Sequence, residues 1–266
     1  MILSSTDFEK INHAITNKKD KIEISLDLNL TKTIIQIKDG KLVLNKYLIE
    51  LPKQPKTKTC FLIRKNKLET IQFFSRETNS LYKLIPTSNK PILQISGTSM
   101  HKKEFVDLIK KEKPKGTILD SGTGLGYTAI QAAKTANKII TIELDPNVIE
   151  ITKINPWSQE LFNNPKIEFK KGNLENELPN LPNNHFDNII QDTGEFKKTG
   201  NLFSLSHYQE IYNKLKSKRN FYHYVPRPQK TKGRSLINEI IPRLTQAGFK
   251  KIEQYDKESA VKCTKS

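Results

Sequence analysis

A glycine-rich turn is the part of this sequence whose residue types and spacing most clearly suggest chemistry. The turn has Gly122, Gly124 and Gly126 at alternate positions, with Thr123 between the first two and Tyr127 after the last. Glycine lets the backbone adopt a positive φ and approach a bound ligand closely, because no Cβ stands in the way. Tyr127 would begin a helix whose first N–H groups face the same ligand. These five residues therefore predict a binding site for a nucleoside.

Two acidic residues beside this turn distinguish between possible ligands. The predicted strand 138–143 ends in Glu143, where a carboxylate can accept hydrogen bonds from both hydroxyls of a ribose. Dinucleotide-binding enzymes use the spacing G-x-G-x-x-G, whereas this turn reads G-x-G-x-G and follows Asp120. A negative charge at Asp120 would repel a pyrophosphate but not the sulfonium-bearing zwitterion S-adenosylmethionine. The spacing therefore favours S-adenosylmethionine over NAD, with Asp120, Gly122 and Gly124 against its methionine part.

Residues after two further predicted strands complete the candidate site. Asn173 follows the third strand, where its amide oxygen could accept a hydrogen bond from the adenine amino group. Asp192 follows the fourth strand, 186–191, and could orient an amine nucleophile and take its proton. The alternative is that Asp192 only caps the turn that follows it. Glu195 and His101 are further candidates for contacts with the substrate.

The elements that must position these residues alternate between strand and helix from residue 117 onward. This alternation predicts an α/β fold with a mostly parallel sheet and helices on both faces. The final two strands are close enough to form an antiparallel hairpin, which is typical of the Rossmann-like class I methyltransferase architecture. Strands are predicted near 117–120, 138–143, 166–171, 186–191, 220–225, 249–255 and 259–263, and helices near 127–136, 146–162, 203–216 and 234–247.

The N-terminal part of the chain has a different pattern. Residues 1–95 are predicted to form a small antiparallel β domain, because short apolar and polar runs alternate and Asp39-Gly40 is a strong hairpin signal. Residues 96–116 form a connector with a helix from about 101 to 111, for which Ser99 is a candidate cap. The class I methyltransferase-like domain is then predicted to span 117–266.

Composition limits the remaining possibilities. The 266 residues carry a formal net charge of +17, which suggests a polyanionic partner. Basic and aromatic residues interleave over 214–234, where an RNA strand could stack and pair, although the aromatic residues also alternate as in a buried strand. No run of about 18 apolar residues occurs, so we expect a cytoplasmic protein without a membrane span. Two cysteines and five histidines without ligand spacing predict no metal site.

Several segments resemble a family of uncharacterised predicted methyltransferases from archaea. The resemblance covers most of the chain and implies a class I fold that binds S-adenosylmethionine, without implying a particular substrate. Members often carry Asp-Pro-Pro after the fourth strand, as amino-group methyltransferases do, whereas this chain reads Asp192-Thr193-Gly194. The matching segments are Gly97 to His101, Leu119 to Ala129, Asn155 to Ser158 and Phe221 to Val225.

A second resemblance is to spermidine synthases. The segments Thr141 to Asp145, Asp192-Thr193 and Leu202 to Tyr208 are similar to the ribose-binding, catalytic and post-catalytic segments of that family. The likeness implies that Asp192 would deprotonate a diamine that attacks decarboxylated S-adenosylmethionine. That family normally carries Gly-Gly-Gly-Asp in its glycine loop, and a basic protein is poorly suited to gather a polycation. The sequence therefore predicts a methyltransferase of unknown acceptor. The alternatives are an aminopropyltransferase and a non-catalytic RNA- or partner-binding protein on the same fold.

Overall fold

The computed structural model describes residues 1–52, 57–100, 103–192, 200–226 and 236–266. The chain divides into two compact units. The smaller unit comprises Met1–His101 together with Lys153–Trp157, and the larger comprises Lys102–Thr152 together with Ser158–Ser266.

Short antiparallel sheets make up most of the smaller unit. They have the strand orders β1-β6-β7, β2-β3-β4-β5 and β11-β10-β9-β8. The predicted hairpin at Asp39-Gly40 is confirmed, because Lys38 and Lys41 pair on either side of it. The strands are β1 (Ile2–Ser4), β2 (Lys21–Ile24), β3 (Thr33–Lys38), β4 (Lys41–Leu44), β5 (Tyr47–Ile49), β6 (Cys60–Arg64), β7 (Lys67–Thr70), β8 (Gln72–Ser75), β9 (Ser80–Ile85), β10 (Ile92–Ile95) and β11 (Thr98–Ser99).

A helix, α1 (Ser5–Thr16), was not predicted from the sequence in this unit. Ser4 begins it with a capping box, since its hydroxyl accepts from the Asp7 amide while the Asp7 carboxylate accepts from the Ser4 amide at 3.1 Å. Phe8 and Ile11, one turn apart, are fully buried in the core of the unit. The Ser4 and Asp7 capping pair and the spacing of Phe8 and Ile11 could have predicted this helix. The β pattern of the residues that follow led to the prediction of a β domain alone.

The larger unit is built on a seven-stranded sheet of order β14-β13-β12-β15-β16-β18-β17. The first five strands in this order are parallel, and β18 pairs antiparallel with both β16 and β17. The predicted fold class is therefore confirmed, including the closing hairpin. The strands are β12 (Thr117–Ser121), β13 (Lys138–Glu143), β14 (Ile167–Lys171), β15 (Phe186–Gln191), β16 (Leu215–Tyr224), β17 (Phe249–Tyr255) and β18 (Ala260–Lys265).

Helices pack against both faces of this sheet. Neighbouring strand residues alternate between two cores, so that Leu119 lies in the core that contains Tyr208 and Leu244, while Ile118 lies in the core that contains Phe105. Strands buried on both faces explain the nearly continuous apolar runs of the sequence. The helices are α2 (Lys103–Glu112), α3 (Tyr127–Ala133), α4 (Pro146–Ile154), α5 (Gln159–Asn163), α6 (Leu174–Glu177), α7 (Leu205–Lys214) and α8 (Leu236–Gln246), with 3₁₀ turns at Pro156–Ser158, Leu178–Asn180 and Gly200–Phe203.

Two predicted boundaries were wrong for identifiable reasons. The helix predicted over 146–162 ends at Ile154, because Pro156 disfavours helical geometry in the residue before it, and a 3₁₀ turn leads into α5. The helix predicted over 203–216 ends at Lys214, and β16 begins at once rather than near residue 220. A register irregularity in the pairing of β15 with β16 accommodates the early start, and Lys218 adopts a φ of 61° within it.

Candidate active site

The glycine turn directly follows β12, the first strand of the larger unit in chain order. All three glycines have positive φ, at 78° for Gly122, 54° for Gly124 and 79° for Gly126. The amides of Gly122 and Thr123 donate to the Ile142 carbonyl at 3.2 and 3.3 Å. The Gly126 amide closes the turn by donating to the Thr123 carbonyl at 2.7 Å. The backbone path that the sequence pattern predicted is therefore present.

Glu143 links the next strand to this turn. Its Oε2 accepts from the Gly124 amide at 2.8 Å, and its Oε1 accepts from the Asp145 amide at 3.0 Å. Burial raises the pKa of the Glu143 carboxyl, and the two amides oppose that rise. A carboxylate has about four acceptor positions, so two backbone donors leave capacity for ligand hydroxyls. The geometry thus provides an oriented, half-buried carboxylate beside the glycine turn.

Asp120 lies inside the protein rather than on the surface of the turn. It is fully buried, and its Oδ2 accepts from the Thr141 hydroxyl at 2.7 Å, while the Thr141 and Thr123 hydroxyls lie 2.6 Å apart. Because the Thr141 proton goes to Asp120, the Thr123 hydroxyl donates to Thr141. The chain of bonds connects the buried carboxylate to the turn. The predicted contact of Asp120 with the methionine part of a cofactor stays a prediction.

The protonation of Asp120 is unusual for a carboxyl group. Burial raises its pKa from the ordinary value of 3.8 to about 6, the hydroxyls of Thr141 and Thr128 oppose the rise, and the charge of Glu143 adds to it. Its Oδ1 is also buried and has no hydrogen-bond partner among the residues described. Asp120 therefore supports the turn at a cost in stability near neutral pH.

Tyr127 and Asn173 occupy helix starts beside the turn and Glu143. Tyr127 begins α3 as predicted and is buried, and no side chain within the described part of the chain caps this helix. Asn173 caps α6, because its Oδ1 accepts from the Glu175 amide at 2.9 Å. The preceding Gly172 amide donates to the Glu143 carbonyl at 2.9 Å, which brings the two strand ends together. The contact of Asn173 with adenine stays a prediction.

Asp192 follows the fourth strand and lies beside the start of the turn. Its amide donates to the Ser121 carbonyl at 2.9 Å, and the residue is partly exposed. The candidate catalytic residue is thus one backbone hydrogen bond away from the residue that precedes Gly122. The other two candidates for substrate contacts, Glu195 and His101, lie outside the described residues.

A buried polar network behind Asp192 was not anticipated from the sequence. The Gln191 side chain donates from Nε2 to the Leu202 carbonyl at 3.1 Å, and its Oε1 lies 2.8 Å from His207 Nε2. A second pair joins Tyr208 Oη and His223 Nε2 at 3.0 Å. Burial lowers the pKa of His207 to about 4 and that of His223 to about 3, so both rings are neutral at physiological pH. The sequence signal that could have predicted this network is the presence of polar residues within apolar runs.

The aromatic part of the segment that suggested RNA binding is buried where it is described, whereas Lys218 and Arg219 are exposed, and RNA binding stays a prediction. Phe221 to Tyr224 are buried in the sheet, so these rings are not available for base stacking. Lys214 is buried and donates to the Pro179 carbonyl and to Asn183 Oδ1 at 3.2 and 2.8 Å. Lys216 pairs with Asp187 at 3.0 Å. The part of this prediction that falls on 227–234 lies outside the described residues.

The described residues contain neither a cluster of metal ligands nor a membrane-spanning helix. No group of three or more His, Cys, Asp or Glu side chains in those ranges is arranged to hold a metal ion. None of the helices described is long and apolar enough to cross a membrane.

Sequence relatives identify the family, and solved structures share the fold. Residues 112–265 match the family model of a methyltransferase domain. An uncharacterised protein of Methanocaldococcus jannaschii is 31% identical over 272 residues, which cover 94% of this chain and 92% of that protein. The resemblance to an archaeal methyltransferase family is therefore confirmed.

Two spermidine synthase structures are similar to this chain over most of its length. The enzyme from Thermotoga maritima matches 92% of this chain and 79% of its own with a TM-score of 0.59 at 17% identity. A spermidine synthase in complex with the transition-state analogue AdoDATO matches 92% of this chain and 80% of its own with a TM-score of 0.60 at 16% identity. At these identities the likeness describes the fold alone. Since the family model covers more than half of the sequence, the chain belongs to the methyltransferase domain family.

Proposed function

We propose that this protein is an S-adenosylmethionine-dependent methyltransferase whose acceptor is still to be identified. The observation that carries the proposal is the hydrogen bond of 2.8 Å from the Gly124 amide to Glu143 Oε2. It holds a ribose-accepting carboxylate against a turn whose positive φ angles admit close approach of a ligand. Membership of the methyltransferase domain family supports the reaction type.

The residues present fit the cofactor. Glu143 offers acceptor positions for two ribose hydroxyls, and the backbone of the glycine turn offers a surface without side chains. Oδ1 of Asn173 caps α6, so its Nδ2 would act as a donor toward a ring nitrogen of adenine, in place of the oxygen acceptor expected from the sequence. The oxygen-rich, acidic character of these groups suits a ribose and a sulfonium better than it suits a pyrophosphate.

The cofactor would supply a methyl group on a positively charged sulfur, which is already activated for displacement. The protein then has to hold the acceptor in line and keep water out. Asp192, at the end of β15, is the group that would orient an amine nucleophile and accept its proton. As the N–C bond forms, the C–S bond would break and release the neutral demethylated cofactor; a neutral amine acceptor would end as a neutral methylated amine and Asp192 as a protonated carboxyl group.

An aminopropyltransferase is the second candidate function. Its support is the shared fold with spermidine synthases over 92% of this chain and the adenosyl-based analogue named for one of them. The same Asp192 would then deprotonate a diamine, and the cofactor would be the decarboxylated form. The third candidate is a non-catalytic protein with the same fold that binds RNA or a partner.

Calorimetric titration separates these candidates before any acceptor is known. The protein is titrated side by side with S-adenosylmethionine, its demethylated product and decarboxylated S-adenosylmethionine. We expect the first two to bind more tightly than the third. Preference for the decarboxylated cofactor would instead establish the aminopropyltransferase, and the absence of binding to all three would leave the non-catalytic reading.

The variant E143Q tests the residue on which the proposal depends. Replacing a charged acceptor of two ribose hydroxyls should weaken S-adenosylmethionine binding about 10- to 100-fold, as expected for hydrogen bonds to a charged group. The matched control is E160Q, because Glu160 is an exposed acid on α5 that is held by Asn164 and lies outside the candidate site. Equal affinities for E143Q and E160Q would remove Glu143 from the cofactor site.

Turnover is then measured with cofactor that carries a labelled methyl group and three probe acceptors: spermidine, transfer RNA and a lysine-rich protein. We expect label in one of them and its loss in D192N, with cofactor binding retained. An unchanged transfer rate in D192N would exclude Asp192 as the proton acceptor.

A further inference from the structure

The side chain of Gln191 joins three separate segments immediately before Asp192. Gln191 is the last residue of β15 and is fully buried. Its Nε2 donates to the Leu202 carbonyl at 3.1 Å, in the 3₁₀ turn Gly200–Phe203, and its Oε1 lies 2.8 Å from Nε2 of His207 on α7. The side-chain amide of Gln191 therefore connects the end of β15 to the 3₁₀ turn Gly200–Phe203 and to α7, the first two elements described after Asp192.

The directions of these two hydrogen bonds are fixed by chemistry. A carbonyl oxygen only accepts, so the amide nitrogen of Gln191 must face Leu202 and the amide oxygen must face His207. His207 then donates from Nε2, and its neutral form is the relevant one because burial lowers its pKa to about 4. Both polar ends of the buried amide are satisfied, so an apolar replacement would leave a donor and an acceptor without partners.

The backbone at this point leads directly to the candidate site. Asp192 donates its amide to Ser121 at 2.9 Å, and Ser121 is bonded to the glycine turn through the chain itself. A shift of the Gln191 side chain would be transmitted to this backbone bond, since the two residues share a peptide unit. Asp192 directly follows the last residue of β15, so its position depends on that strand end.

We propose that Gln191 is a positioning residue whose amide, held between Leu202 and His207, fixes the strand end that carries Asp192. His207 is its partner and orients the amide. The inference rests on the proposed function, because that function makes Asp192 the proton acceptor. Gln191 and His207 would hold Asp192 against Ser121 whichever reaction takes place.

The structure provides a matched control on the same helix. Tyr208, next to His207 on α7, bonds His223 at 3.0 Å, and both residues are fully buried. This pair ties α7 to β16 and does not involve the Gln191 side chain, although His223 and Gln191 are backbone neighbours in the sheet. Removing it deletes a buried hydrogen bond of the same kind on the same helix without breaking any bond of the Gln191 side chain.

The test measures hydrogen exchange of the Asp192 amide by nuclear magnetic resonance in Q191M, H207M, H207Q and Y208F. Q191M and H207M should speed that exchange about tenfold or more, because the strand end loses the bonds that hold it. H207Q should restore slow exchange, since its side-chain amide retains an N–H donor of similar reach. Y208F should leave the Asp192 amide as protected as in the wild-type protein. Free energies of unfolding of all four variants correct for global destabilisation.

Two results would overturn the proposal. One is unchanged exchange in both Q191M and H207M, and the other is an equal increase in Y208F, which would mean that general loss of packing is responsible. Exchange requires neither cofactor nor acceptor, so this outcome is independent of the proposed function. Where transfer is measurable, Q191M should lower kcat and leave the affinity for S-adenosylmethionine unchanged. A loss of affinity with kcat retained would contradict the proposed role.

Discussion

Replacing Asp120 with asparagine should change the pH dependence of stability in a direction opposite to that expected for most paired acids. The unfolded chain releases the Asp120 proton near 3.8, while burial raises the native pKa to about 6. Between these values the native state binds more protons than the unfolded state, so stability falls as pH rises. The contribution of the protonated group is fully present below the unfolded pKa and is lost as pH rises through the native pKa.

The magnitude follows from the size of the shift. A rise from 3.8 to about 6 corresponds to about 3 kcal/mol in full, of which about 2 kcal/mol develops over roughly pH 4.5 to 7.5. D120N has no group to titrate at this position. Its free energy of unfolding relative to the wild-type protein should therefore rise by about 2 kcal/mol across that range. Any packing cost of the asparagine amide is the same at every pH and cancels from this change.

The assay is urea denaturation of both proteins at a series of pH values. D187N serves as the control, because Asp187 has a lowered pKa: its burial alone would raise the pKa, but the Thr117 amide, Lys216 and Arg219 together outweigh it. The contribution of Asp187 is present above the ordinary pKa and is lost only as pH falls below it. D187N should accordingly differ from the wild-type protein by a constant amount over roughly pH 4.5 to 7.5. A constant difference for D120N as well would refute the reasoning about Asp120.

Two further substitutions test the packing of the larger unit. G126A should lower the free energy of unfolding by about 1–3 kcal/mol, because the residue has a φ of 79° and a Cβ there would meet Leu161 Cδ2 at 2.9 Å. G200A, where a Cβ meets nothing within 4 Å, should differ from the wild-type protein by less, and equal losses would show that the turn is not constrained. K265M should cost about 2–4 kcal/mol in the same denaturation assay, because the Lys265 ammonium group donates to three oxygen acceptors at 2.7–2.8 Å. K257M changes an exposed lysine and should be neutral, so similar values for the two lysine variants would contradict the role assigned to Lys265.

Much of the fold could be predicted because its signals are local. The alternation of apolar strands with helices from residue 117 onward was sufficient to predict the parallel sheet and its closing hairpin. The boundaries that failed depended on interactions outside the local pattern. Pro156 divided a helix that its apolar spacing predicted as continuous, and the early start of β16 is stabilised by pairing of Leu215 with Phe186 across the sheet.

The candidate site was predictable to the extent that the fold itself brings strand ends together. The parallel pairing of β12 with β13 brings Glu143 beside Gly124, and the two residues are hydrogen-bonded. The direction in which Asp120 points could not be predicted. Strand residues alternate between the two faces of a sheet that is buried on both sides, and an acid is ordinarily expected at the surface.

The sequence by itself determined the class I methyltransferase fold, the conformation of the glycine turn and the order in which candidate residues follow the strands. Each of these depends on short-range properties: the freedom of glycine, the period of apolar residues and the chain direction of successive strands. Only the tertiary structure decided that Asp120 supports the turn from within, that Phe221 to Tyr224 are core residues, and that Gln191 meets His207. Those outcomes depend on register and on the packing of segments distant in sequence, because a hydrogen bond across a core is decided by which atoms the whole fold brings within about 3 Å of each other.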